Sequence, residues 1–104
     1  MSAGFRAVIE LEMTGTDAVR FVAEWPRMAE EVAEAPGCLE QWLFGPDRDG
    51  VVIMSDWVDE DAFHDFEAGP VHAAHRTRIA SVRTGGRFRG LRTTAAHQVR
   101  EGRR

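Results

Sequence analysis

Residues 38–58, CLEQWLFGPDRDGVVIMSDWV, consist of two strand-like runs joined by a turn. Cys38 to Phe44 and Val51 to Val58 are rich in apolar residues, and Gly45-Pro46-Asp47-Arg48-Asp49-Gly50 between them is made almost wholly of turn formers. A hairpin follows. Alternation sends Leu39 and Leu43 to one face and Trp42 and Phe44 to the other, while Val51, Ile53 and Trp57 oppose Val52 and Met54. Both faces are therefore apolar. A sheet with helices on one side only shows polar residues on the other, so a second layer is expected over the far face, and another subunit's sheet is the obvious one.

Before the hairpin, Phe5, Ala7, Ile9, Leu11 and Met13 alternate with Arg6, Glu10 and Glu12, the period of a half-buried strand. Thr14-Gly15-Thr16-Asp17 forms a turn with helix-capping residues. Ala18, Phe21, Val22, Trp25, Ala29, Val32 and Ala33 then recur at helical spacing, with Pro26 expected to kink or split the helix and Ala35-Pro36-Gly37 to stop it. After the hairpin, Asp59 caps a helix with the apolar stripe Ala62, Phe63 and Phe66. Gly69-Pro70 interrupts it, and a further helical segment runs through Val71, Ala74, His75 and Ile79. A last strand is expected over Arg83 to Leu91. The order strand, helix, strand, strand, helix, strand predicts an α+β, ferredoxin-like βαββαβ fold, with both helical stretches on one face of a four-stranded antiparallel sheet. One such domain spans residues 1–91, and residues 92–104 read as an Arg-rich tail or dimer arm.

With 104 residues, 43% hydrophobic and 29% charged, the chain has the composition of a single globular domain, which excludes disordered and fibrous classes. No apolar run approaches the roughly 20 residues that cross a bilayer. Met1 to Arg6 lacks a basic start followed by an apolar block, so a cytoplasmic location is expected. Residues 1–67 carry 16 acidic side chains against four Arg, and residues 68–104 carry nine Arg against Glu101 alone, leaving the two parts at −12 and +8. The basic third has no interleaved aromatics of the kind that bind nucleic acid, and it is expected to lie over the acidic part instead. The single cysteine, Cys38, forbids an internal disulfide and reads as a small buried hydrophobe. His64, His72, His75 and His97 do not read as a metal set, since no carboxylate lies at a matching helical position beside His72 and His75.

Ala35-Pro36-Gly37-Cys38-Leu39, Ser55-Asp56-Trp57, Asp61-Ala62-Phe63 and the Pro70 to Arg76 helix follow in an order that resembles the antibiotic biosynthesis monooxygenase family, small dimeric α+β barrels, over roughly residues 5–91. The resemblance implies a homodimer formed by sheet-to-sheet packing. Among its members, the cofactor-independent oxygenases of aromatic polyketides are similar in the pocket. Their pattern has an Asn four residues before the strand-end Trp, a Tyr six residues after it, and an Arg six residues after a helical Pro. Trp57 and Arg76 match; Ile53 and Phe63 stand at the Asn and Tyr positions, in a chain with no tyrosine. Haem-degrading members carry a proximal His in the helix of His75, but their Asn falls at Ile9 and their Trp near Phe66, so no haem is expected.

These residues define a candidate site. Inward stripes converge on Trp25, Ile53, Trp57, Phe63, Phe66, His72 and His75, an apolar cleft suited to a flat aromatic small molecule. His75 is expected to take a proton, Arg76 to stabilise the resulting anion and Trp57 to stack on the ring system. No cofactor or metal is called for. Three classes of function fit: a cofactor-free monooxygenase acting on a phenol or anthrone, a polyketide cyclase or related tailoring enzyme, and a non-catalytic small-molecule-binding protein.

Overall fold

The computed structural model describes residues 3–97 and 99. Its elements are β1 (Phe5–Glu12), α1 (Gly15–Ala33), β2 (Cys38–Phe44), β3 (Gly50–Trp57), α2 (Glu60–Glu67), α3 (Pro70–Ala80) and β4 (Gly85–Arg92). The strands form one antiparallel sheet in the order β2-β3-β1-β4, the ferredoxin-like arrangement. Register brings the inward residues of the two central strands side by side, with Phe5 opposite Trp57, Ala7 opposite Ser55 and Ile9 opposite Ile53.

Thr14 caps α1, its hydroxyl accepting from the Asp17 N–H at 3.3 Å. The helix continues through Pro26 as one element rather than splitting there. A proline deletes a single N–H, and Phe21 and Met28 on either side of it are buried in the same core, so packing outweighs the missing bond. Met28 belongs to the buried stripe although the periodicity had not singled it out. The turn after α1 needs Gly37, which has φ of +88° and packs so closely that a β-carbon there would lie 2.6 Å from that of Ala62.

Two sequence expectations change. Cys38 pairs with Trp57 but Glu40 pairs with Asp56, so Leu39 is the extra residue of a bulge. It is 39% exposed instead of sharing the core face with Leu43. The last strand begins at Gly85 rather than Arg83, because the Val82 and Arg83 N–H groups close α3 onto the Ile79 carbonyl at 3.1 and 2.9 Å. It also ends one residue later, at Arg92. Of the arm expected over residues 92–104, residues 98 and 100–104 lie outside the described residues.

The core divides into two buried clusters on the helical side of the sheet. One gathers Leu11, Met13, Ala18, Phe21, Met28 and Val51, and the other Phe5, Ala7, Trp57 and Phe63. Helix α3 packs against α1 and α2 without any fully buried residue of its own. It is linked to α1 by pairs of His75 with Glu31 at 2.6 Å and of Arg78 with Glu24. Arg87 pairs with Glu10 at 3.2 Å, so part of the basic final third does lie against the acidic first part. On the opposite face of the sheet Val8, Trp42, Phe44, Val52, Met54 and Leu91 remain uncovered by any described element. Arg6 bonds Asp56 at 2.7 Å on that face and lies over the Trp42 ring at 5.2 Å. No helix is long and apolar enough to cross a membrane among the described residues.

Candidate active site

The gap between the two core clusters is a cavity of about 390 Å³. Its floor is the middle of the sheet, with Ile9 and Ile53, and its walls are α1 (Trp25, Met28, Val32), α2 (Phe63, Phe66) and α3. All of Trp25, Ile53, Trp57, Phe63, Phe66, His72, His75 and Arg76 line it. The last three come from α3, where spacing of three and four places them toward the same space.

Trp57 is fully buried, at 0% exposure. Its ring stands edge-on to Phe63 at 5.6 Å and lies against Phe66 at 5.3 Å, while its Nε1 donates to Ser55 Oγ at 2.9 Å. Enclosed in this way, it offers no open face on which a ligand can stack, contrary to the sequence expectation. Open aromatic surface comes instead from Trp25 and from Phe88, which is 48% exposed and stacks on Phe63 at 5.7 Å.

The two cavity histidines differ. His75 is bound through Nε2 to Glu31 Oε1 at 2.6 Å, an orienting carboxylate from α1. His72 has its Nδ1 buried without a partner and its ring edge-on to Phe66 at 5.5 Å. A doubly protonated imidazole would leave that buried N–H without an acceptor. Burial accordingly pushes the His72 pKa below its ordinary value, Arg76 and His75 adding to the effect and Glu67 opposing it. His64 lies outside the cavity between Glu60 and Glu67, both at 3.1 Å, and these carboxylates raise its pKa. Arg76 carries no ion pair among the described residues. The arrangement offers a neutral imidazole, an imidazole oriented by a carboxylate and an unpaired guanidinium around an apolar space, the parts needed to remove a proton and hold the resulting anion.

Sequence reasoning missed Glu31, Gln41, Ser55 and Arg83, which also belong to the site or its rim. Glu31 reads as one more solvated charge on an acidic helix, and its partner lies 44 residues away. Gln41 and Ser55 could have been found as polar residues on the inward face of otherwise apolar strands. Among the described residues no group of acidic, His and Cys side chains is arranged to hold a metal ion.

No curated protein sequence matches the chain. Several solved structures share its fold. One is SnoaB, a cofactor-independent oxygenase from Streptomyces nogalater, at 22% identity and a TM-score of 0.76, covering 94% of this chain and 97% of that one. A monooxygenase from the gene ActVA-Orf6 of Streptomyces coelicolor, in complex with nanaomycin D, matches at 22% identity and a TM-score of 0.76, with 94% of each chain covered. The haem degrader MhuD of Mycobacterium tuberculosis matches at 21% identity and a TM-score of 0.73 over 90% of this chain and 99% of its own. At such identities the likeness is one of fold. A family model described as antibiotic biosynthesis monooxygenase covers residues 4–78, from the first strand through most of α3. That span carries the whole α1 wall, the hairpin floor and His72, His75 and Arg76 of α3, and on it the chain belongs to the antibiotic biosynthesis monooxygenase family.

Proposed function

We propose that the protein is a cytoplasmic, cofactor-independent oxygenase of a flat aromatic phenol or anthrone of polyketide type. One observation carries this: an apolar cavity of about 390 Å³, rimmed by aromatic rings, has His72, His75 and Arg76 together on one wall. His75, oriented by Glu31, takes the proton from the substrate, and Arg76 stabilises the enolate or phenolate left behind. Dioxygen adds at the carbanion to give a hydroperoxide, which sheds water to leave a carbonyl. One oxygen atom stays and the other departs as water, so the substrate supplies the electrons. Trp57 acts through packing and through Ser55 rather than by stacking on the substrate. The oxygenases named above support this reading by fold.

Ile53 and Phe63 leave part of the cavity wall without hydrogen-bonding groups, which favours a cyclase as the second reading: the same carbanion would attack a carbonyl and close a ring. Oxygen uptake with anthrone separates the two. Stoichiometric uptake lost on His75→Ala by a factor on the order of 10² to 10⁴ supports the oxygenase. Absence of uptake with retained binding points to the cyclase or to a binding protein.

The uncovered apolar face of the sheet supports a homodimer formed face to face, with Trp42, Phe44, Val52 and Met54 at its centre. Obligate dimers commonly bury about 2,000 Å² or more, within reach of two four-stranded faces.

A further inference from the structure

From β1, β2 and β3 the cavity receives Ile9, Leu11, Gln41, Ile53, Ser55 and Trp57. Only Gln41 and Ser55 among these have hydrogen-bonding capacity to spare, because the Trp57 N–H is already donated to Ser55 Oγ at 2.9 Å. That bond occupies a lone pair of the Ser55 oxygen and leaves its proton without an acceptor among the described residues. Gln41 faces Ser55 directly across the β2–β3 pairing. Its Nε2 donates to the Ala29 carbonyl of α1 at 2.9 Å, which sets the amide's orientation and leaves Oε1 as the end without a protein donor. Directly opposed residues have β-carbons about 4.5–5.5 Å apart, so a donor and an acceptor sit side by side on an otherwise apolar floor.

We propose that Ser55 and Gln41 form the specificity-determining subsite of the cavity. Ser55 donates to a ring-attached carbonyl or phenolate oxygen, and Gln41 accepts from a hydroxyl on the same edge of the ligand. This rests on the cavity being an aromatic binding site, and it deepens that reading by naming the ligand: an aromatic hydroxyketone with the two oxygens on one edge. A cavity otherwise lined by apolar groups on its floor rewards the matching pair and rejects a ligand that leaves the buried hydroxyl and amide unpaired.

The experiment uses three probes of like shape, tetralin, 1-tetralone and 7-hydroxy-1-tetralone, whose hydroxyl lies on the carbonyl's edge without chelating to it, with dissociation constants measured by calorimetry on the full chain. The wild type is expected to bind 1-tetralone about threefold to tenfold more tightly than tetralin, and the hydroxyketone more tightly again by a similar factor. Ser55→Ala abolishes the first preference and Ser55→Thr retains it, whereas Gln41→Met abolishes only the second. A purely structural role for Ser55 as the acceptor of Trp57 would weaken all three probes alike, and that result overturns the proposal. Should Ser55→Ala fail to fold, Gln41→Met decides the matter through the second preference, and an unchanged ratio refutes the subsite. If no probe binds the wild type, the cavity is not an aromatic site and both proposals fall. If the preferences appear as stated but anthrone drives no oxygen uptake, the oxygenase proposal falls and the subsite stands.

Discussion

Replacing Phe63 by Ala should cost the fold a large share of its stability. The ring is buried and touches Phe5 at 5.4 Å, Trp57 at 5.6 Å and Phe88 at 5.7 Å, joining the end of the sheet to α2. Buried Phe→Ala changes cost about 3–5 kcal/mol, and the aromatic pairs add to the transfer term. Phe63 also borders the cavity, so the space left by the ring opens into an existing void that water can reach, which places the loss near 3 kcal/mol. In a domain of about 100 residues, 1 kcal/mol corresponds to about 4–8 °C, so Tm should fall by about 12–24 °C. Thermal unfolding followed by far-UV circular dichroism measures it. A fall of less than about 4 °C would mean that the ring carries under about 1 kcal/mol and that the second core cluster does not anchor α2.

The pH dependence should reveal His72. Burial holds its folded pKa below the ordinary value of about 6.5, so the unfolded chain takes up the proton first as pH falls. The stabilising contribution is complete above about 6.5 and is lost as pH drops through the lowered folded value. Tm of the wild type should therefore decline more steeply from about pH 7 to about pH 5 than that of His72→Gln, and parallel curves would contradict the assignment. His64, raised by Glu67 and Glu60, works in the opposite sense: its contribution is present below about 6.5 and fades as pH rises through the raised value. At the sheet's outer face, Met54→Arg should convert a species of twice the 11.6 kDa chain mass into a monomer by sedimentation, with the secondary structure retained. A wild type that sediments only at 11.6 kDa would remove the dimer.

The order of elements was legible because it rests on local periodicity. Phe5 to Met13 alternate, Ala18 to Ala33 follow the helical period, and the six residues after Phe44 are turn formers. Convergence of Trp25, Phe63, Phe66 and His72 on one cavity follows from these faces once the topology is known. What sequence did not disclose depends on single residues or distant partners. A one-residue bulge turned Leu39 outward, against the alternation that paired it with Leu43. Core packing carried α1 across Pro26, whose local cost is real but smaller. The Glu31–His75 bond joins faces that no window of adjacent residues can compare. Trp57 was recognisable as an aromatic at a strand end, yet only the surrounding rings show that it is walled in.

Helix α3 contributes none of the fully buried residues, yet it bears His72, His75 and Arg76. The polar wall of the cavity and the buried core thereby lie on different parts of the chain. A change of cavity-lining side chain at position 72, 75 or 76 of α3 takes little from either core cluster, and the buried residues of β1, β3 and α1 can be held constant while α3 varies. Such a division lets descendants of one scaffold acquire new reactions by substitution on a single short helix, without first acquiring extra stability to tolerate the change.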